Sequence, residues 1–224
     1  MERRRASLTW RSRSSRRNAI RSMRRNDTIG LLLLGTSKVG KTALLQRWIN
    51  GVYQEKYKPT VEDFFTKSVT YMGQTANVGI IDITGSRDFP AMIDLYLSRA
   101  DSVMLFYERG DELSLRELSY LHEKVKEVRL EKTDMYVTIV GTKTDKYNDE
   151  LNDDKMSENL IGTMLSELGE KCVHVMTSAK SGLNVNEAFD GALNELVPTM
   201  KPTGDNLKRL QLLNNTHGRR CIVM

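Results

Sequence analysis

Residues 28–200 predict an α/β fold: a mostly parallel, six-stranded sheet with one antiparallel edge strand and helices on both faces. Three observations carry this expectation. Strand and helix patterns alternate along the stretch, and such alternation implies a parallel sheet covered on both sides. Leu31 to Leu34 form a short apolar run with glycine at both ends, which suits a strand buried on both faces. Phe65 to Ile83 breaks the alternation and reads as two strands around Met72-Gly73-Gln74, a hairpin.

The leucine run leads into Gly35-Thr36-Ser37-Lys38-Val39-Gly40-Lys41-Thr42, a G-x-x-x-x-G-K-[ST] phosphate loop between a strand and a helix. Its glycines let backbone N–H groups face a phosphate chain, helped by the helix N-terminus. Lys41 is placed to reach the β and γ phosphates and Thr42 to hold Mg²⁺. Thr42 to Ile49 reads as the helix, with Leu45, Trp48 and Ile49 on one face. The fold class is therefore that of the P-loop NTPases.

Three later strands end in polar residues that decide the nucleotide. Ile80-Ile81-Asp82-Ile83-Thr84-Gly85 ends in Asp-x-x-Gly. An Asp there can order Mg²⁺ through water, and Gly85 can turn its N–H onto a γ-phosphate. Val137 to Gly141 leads into Thr142-Lys143-Thr144-Asp145. The Asp145 carboxylate can accept two N–H donors from the edge of guanine, and adenine lacks that pair. Val173 to Met176 leads into Thr177-Ser178-Ala179-Lys180, where the Ala179 N–H can meet the guanine carbonyl oxygen.

Over residues 28–200 and the last four, the chain resembles the Ras family of small GTPases. The resemblance assigns Tyr57-Lys58-Pro59-Thr60-Val61-Glu62-Asp63-Phe64 to the first switch, with Val61 to Phe64 as effector residues. It implies that Thr60 binds Mg²⁺ and the γ-phosphate, and that Tyr53 lies across the guanine. It also implies nucleotide contacts from Ala43, Tyr57, Thr142, Lys143, Ser178 and Lys180. Asp82 to Met92, DITGSRDFPAM, resembles the second switch, and its Phe-Pro-Ala-Met ending is most similar to the Di-Ras and dexamethasone-induced Ras (Rhes) branches. Effector proteins, an exchange factor and an activating protein are the implied partners.

Three positions depart from the family's pattern. Thr142 stands where Asn is usual, as in some Rho-type proteins. Ser86 follows the second-switch glycine, where a Gln usually orients the attacking water, and serine is too short to reach the same place. Ser37 occupies a loop position that is often Gly, and its side chain crowds the space of an incoming arginine finger. Both serines point to slow hydrolysis, unless another residue, such as Arg87 or one from a partner, replaces the Gln. The expected activity is slow conversion of GTP to GDP and phosphate, with Lys41, Thr60, Gly85 and Ser86 at the reacting end. The alternative is a GTP-held interaction module with negligible turnover.

Composition supports one domain with unusual ends: 224 residues, 39% hydrophobic, suffice for a single well-buried core plus tails. No apolar stretch approaches the roughly 20 residues needed to span a bilayer. No apolar signal segment opens the chain. Two cysteines, Cys172 and Cys221, make no disulfide framework, so a reducing, cytoplasmic compartment is expected. Cys172 begins a strand and reads as a small buried hydrophobe.

Residues 201–224 are expected to form a flexible tail. It closes on Cys221-Ile222-Val223-Met224, a prenylation box whose terminal Met favours farnesylation of Cys221. One lipid chain binds membranes only marginally, so a second signal is expected. Residues 1–27 form a basic extension. Ten arginines against Glu2 give residues 1–25 a charge of +9, so the remainder carries about −4 of the chain's net +5. Such a block is expected to be disordered in isolation. Four readings of it stay open: a solvated tail, a patch for anionic lipid, a nucleic-acid arm, or a mitochondrial presequence. Arg4-Arg5-Ala6-Ser7 also resembles a basophilic kinase site. Nucleic acid is not an expected partner of the whole. The expected location is the cytoplasmic face of a membrane, the plasma membrane first.

Overall fold

The computed structural model describes residues 28–55, 59–60, 62–71, 73–83, 90–131, 134–147 and 155–197. Six strands form one sheet: β1 (Thr28–Leu34), β2 (Glu62–Tyr71), β3 (Gln74–Ile83), β4 (Ser102–Glu108), β5 (Tyr136–Thr142) and β6 (Cys172–Met176). The strand order is β2-β3-β1-β4-β5-β6. All neighbours run parallel except β2 against β3, the hairpin at the sheet edge. Gly73, with φ 77°, sits in the left-handed region that the turn between them uses. The antiparallel strand is longer than expected, because its pairing starts at Glu62↔Ile83 and not at Phe65.

Among the described residues, the α-helices are α1 (Lys41–Asn50), α2 (Pro90–Leu97), α3 (Glu112–Arg129), α4 (Lys155–Leu168) and α5 (Val185–Leu193). Period-2 alternation in the central strands decides where they pack. In β1, Ile29, Leu31 and Leu33 point to one face, where they meet Leu44 and Leu45 of α1 and Phe189 and Leu193 of α5. Leu32 and Leu34 point to the other face, into a core shared with Ile93 and Leu97 of α2, Leu118 and Leu121 of α3, and Ile161 and Met164 of α4. All four leucines have no exposed surface, as strands of a covered parallel sheet require. Cys172 is buried at the start of β6, and burial pushes its thiol up to about 12, so it behaves as an inert apolar group.

Helix–helix contacts are polar at the rims. Lys126 Nζ donates to Glu167 at 2.9 Å and Arg129 Nη1 to the Leu168 carbonyl at 2.7 Å, tying α3 to α4. On the opposite face, the rings of Trp48 (α1) and Phe189 (α5) stack with centroids 4.0 Å apart, and Lys67 Nζ of β2 lies 3.6 Å above the Trp48 ring. Among the described residues, no helix is long and apolar enough to cross a membrane.

Because β1, β3, β4, β5 and β6 are parallel, their carboxyl ends lie along one edge. Gly35, Asp82, Glu108, Thr142 and Thr177 all fall at that edge.

Candidate nucleotide site

The phosphate loop turns between β1 and α1 by means of positive-φ residues: Gly35 at 151°, Lys38 at 67° and Gly40 at 111°. Gly35 is required by space as well, since a Cβ there would lie 2.5 Å from the Phe106 carbonyl oxygen of β4. Ser37 and Lys38 are exposed at the tip, whereas Val39 is buried. Helix α1 opens at Lys41, directly after Gly40, with no side-chain cap. Its first-turn N–H groups, those around Thr42 and Ala43, are thus left for another acceptor, such as an anion.

Lys41 is nearly buried and folds back over the loop, donating to the carbonyls of Gly35 at 2.7 Å and Thr36 at 2.8 Å. Burial lowers its ammonium to about 8, against the pull of the Asp82 carboxylate. An amine poised in this way gains when a polyanion enters the loop.

Beside it lies a cluster of oxygens. Thr42 Oγ1 donates to Asp82 Oδ2 and stands 3.3 Å from Thr60 Oγ1. Asp82 is fully buried, and its second oxygen, Oδ1, has no hydrogen-bond partner among the described residues. Burial raises its carboxyl, opposed by Lys41 and Thr42 and assisted by the like charge of Asp63, which faces it across the β2–β3 ladder. A buried carboxylate with an orphan oxygen and two hydroxyls nearby is an all-oxygen donor set of the kind Mg²⁺ takes. These residues fit that ion, which would relieve the unpaired oxygen.

Of the expected effector residues, Glu62, Asp63 and Phe64 open the edge strand β2 next to this cluster. Glu62 accepts a hydrogen bond from the Tyr96 hydroxyl of α2, so the start of β2 is linked to the helix that begins at Pro90. Phe64 packs edge-on against the same tyrosine, ring centroids 6.5 Å apart. Burial and the Glu62 charge raise the Asp63 carboxyl. Tyr53 is half-buried in the stretch after α1. Tyr57, Val61, Gly85, Ser86 and Cys221 lie outside the described residues.

At the far end of the edge, two loops are stitched together. Thr142 Oγ1 shares its proton between the carbonyls of Val39, at 2.6 Å, and Tyr107, at 2.9 Å. The threonine that replaces the family's asparagine thereby ties the phosphate loop to β4 and β5. Lys143 has a left-handed backbone (φ 59°) and begins the short 3₁₀ turn Thr144–Lys146 that carries Asp145. Thr144 N–H donates to the Thr177 carbonyl at 3.2 Å. Ser178 Oγ donates to Asp145 Oδ1 at 2.5 Å and accepts from Ser181 N–H at 3.1 Å, which fixes the carboxylate. Ala179 packs against the core, and the exposed Lys180 reaches Glu55 at 3.9 Å.

Sequence reasoning missed Glu108, the last residue of β4. It receives a hydrogen bond from Lys143 and another from Lys146 Nζ at 2.9 Å. Burial pushes its carboxyl up, but the two lysines outweigh burial and hold it below the ordinary glutamate value. The available signal was an acid ending the apolar strand SVMLFYE at the same edge as the other boxes.

A glycine loop opening a helix, a buried lysine over it and a hydroxyl–carboxylate cluster alongside define a nucleotide-binding protein of the P-loop class. The family model of the Ras family matches residues 30–197, and the chain belongs to that family. It is a small GTPase, a switch of the kind that binds GTP and GDP with Mg²⁺ and works through effectors and regulators.

Proposed function

We propose that this GTPase is a slow timer, lipid-anchored at the cytoplasmic face of a membrane, and that it belongs near the Di-Ras and Rhes branches. The observation that carries the slow rate is Ser86 in place of the water-orienting glutamine, with Ser37 crowding the approach of an arginine finger. Ser37 stands exposed at the loop tip, where such a finger would enter.

Each residue takes one role in this reading. Lys41 and the uncapped first turn of α1 carry the charge of the transferring phosphoryl group. Thr42, Thr60 and, through water, Asp82 would hold Mg²⁺, which would supply positive charge to the phosphate chain. Asp145, fixed by Ser178, accepts the guanine edge, and Ala179 meets the guanine carbonyl. Gly85 positions the γ-phosphate, and Glu62 to Phe64 present the effector surface.

Single-turnover hydrolysis of bound GTP, wild type against Ser86→Gln, tests this reading. The wild type should be slow and the variant faster, because the longer side chain can hold the water. Stimulation by an arginine finger should stay poor while Ser37 remains. A fast wild-type rate, unchanged in the variant, would show that another residue already positions the water. A rate indistinguishable from zero in both would leave the GTP-held module.

A further inference from the structure

The β4–α3 loop is built onto the turn that carries Asp145. Arg109 N–H donates to the Thr142 carbonyl at 3.3 Å, and the Arg109 guanidinium lies 5.8 Å from the Tyr147 ring centroid. Gly110 (φ 73°) abuts the same tyrosine so closely that a Cβ would come within 2.5 Å of its hydroxyl. Glu108 closes this contact by pairing with Lys143 and Lys146 together. Its side chain is 17% exposed, so the pairing is only partly screened by water.

These two lysines flank Asp145 in sequence. Lys146 already feels the Asp145 charge, although its hydrogen bond goes to Glu108. Asp145 meanwhile keeps only one described side-chain partner, the Ser178 hydroxyl on Oδ1. A free ammonium within reach of a carboxylate occupies it, and a carboxylate so occupied has fewer lone pairs for a base.

We propose that Glu108 is a specificity-determining positioning residue: it holds Lys146 away from Asp145, so that the Asp145 carboxylate stays open to the two N–H donors of a guanine. The inference rests on the guanine reading of Asp145. Guanine offers a ring N–H and an exocyclic amino group to that carboxylate, whereas hypoxanthine, the base of inosine, offers the ring N–H alone. The affinity ratio of GDP to IDP therefore reads how open Asp145 is.

The ratio and the GDP release rate are measured on the full chain for wild type, Glu108→Gln, Glu108→Asp, Lys146→Gln and the double variant Glu108→Gln with Lys146→Gln. Wild type is measured first: no preference for GDP over IDP there would reject the guanine reading of Asp145 itself. With that preference in place, Glu108→Gln should lower the ratio and speed GDP release by about tenfold, the size of one weakened charge-assisted hydrogen bond. Glu108→Asp keeps the charge with a shorter reach and should lose less. Lys146→Gln alone should leave the ratio intact. The double variant should recover most of the ratio, because the main competitor for Asp145 is gone. If Glu108→Gln and Glu108→Asp both keep the wild-type ratio, or if the double variant stays as poor as Glu108→Gln, Glu108 is only a brace for the loop and the proposal falls.

Discussion

Lys41 shows how one side chain couples the site to pH. Its folded value, about 8, lies below the ordinary lysine value of 10.5 because burial penalises the ammonium. Above about pH 8 the free protein therefore holds a neutral amine there, while nucleotide phosphates favour the charged form. Binding in that range takes up a proton, so nucleotide affinity should fall as pH rises above about 8. The free protein responds with the opposite sign. Between the two values the unfolded chain binds the proton and the folded chain does not, so this residue's contribution to stability rises with pH. Calorimetry of GDP binding in two buffers of different ionisation heat checks the first statement. The difference between the heats should grow from about pH 7.2 to about pH 8.5. A difference that does not grow would mean that Lys41 is already charged in the free protein. Asp145 offers a second test at this scale. Asp145→Asn should shift preference from guanosine to xanthosine diphosphate, because an amide donates where a carboxylate only accepts. A variant with undiminished GDP affinity would remove Asp145 from the base pocket.

At the scale of elements, the stack of Trp48 on Phe189 joins the helix that opens at the phosphate loop to the helix behind it. Phe189 is fully buried, so Phe189→Ala should cost about 3–5 kcal/mol, removing ring contacts and leaving a cavity. The check is a lower denaturant midpoint with an unchanged slope. A loss under about 1 kcal/mol would show that the two helices repack without the ring. Elements of this kind were legible in the sequence to different degrees. The four leucines, the loop glycines and Met72-Gly73-Gln74 announced β1, α1 and the β2–β3 hairpin, because burial and turns leave local patterns. The start of β2 at Glu62 did not show, since Glu62 and Asp63 are poor strand formers held there by the ladder to β3 and, for Glu62, by Tyr96. Asp82 and Asp145 could be picked out from strand ends. Thr60 and Ser178 followed from the resemblance, but Glu108 did not show, because Lys143 and Lys146 belong to another segment and meet it only after β4 and β5 have paired.

At the scale of the whole molecule, the chain divides its charge: +9 in residues 1–25 against about −4 elsewhere. The basic character therefore belongs to the extension and not to the GTPase domain. If the proposed farnesyl group on Cys221 is one membrane signal, it is marginal alone, and Arg219 and Arg220 add little beside it. We propose the arginine block as the second signal, each residue near an anionic surface contributing up to about 1 kcal/mol with diminishing returns. The two contributions respond differently to conditions. Lipid insertion is indifferent to salt, whereas exposed charges are screened beyond about 8 Å at physiological ionic strength. Cys221→Ser should therefore release the protein from membranes. Deleting residues 1–25 should leave the lipid in place and weaken binding only to anionic surfaces. Co-sedimentation of the farnesylated full chain with vesicles containing phosphatidylserine should fall as salt rises, and the truncated form should respond little. On neutral vesicles the two forms should bind alike. Identical salt curves on anionic vesicles would return residues 1–25 to the reading of a solvated tail, and the membrane attachment would then need another source for its second signal.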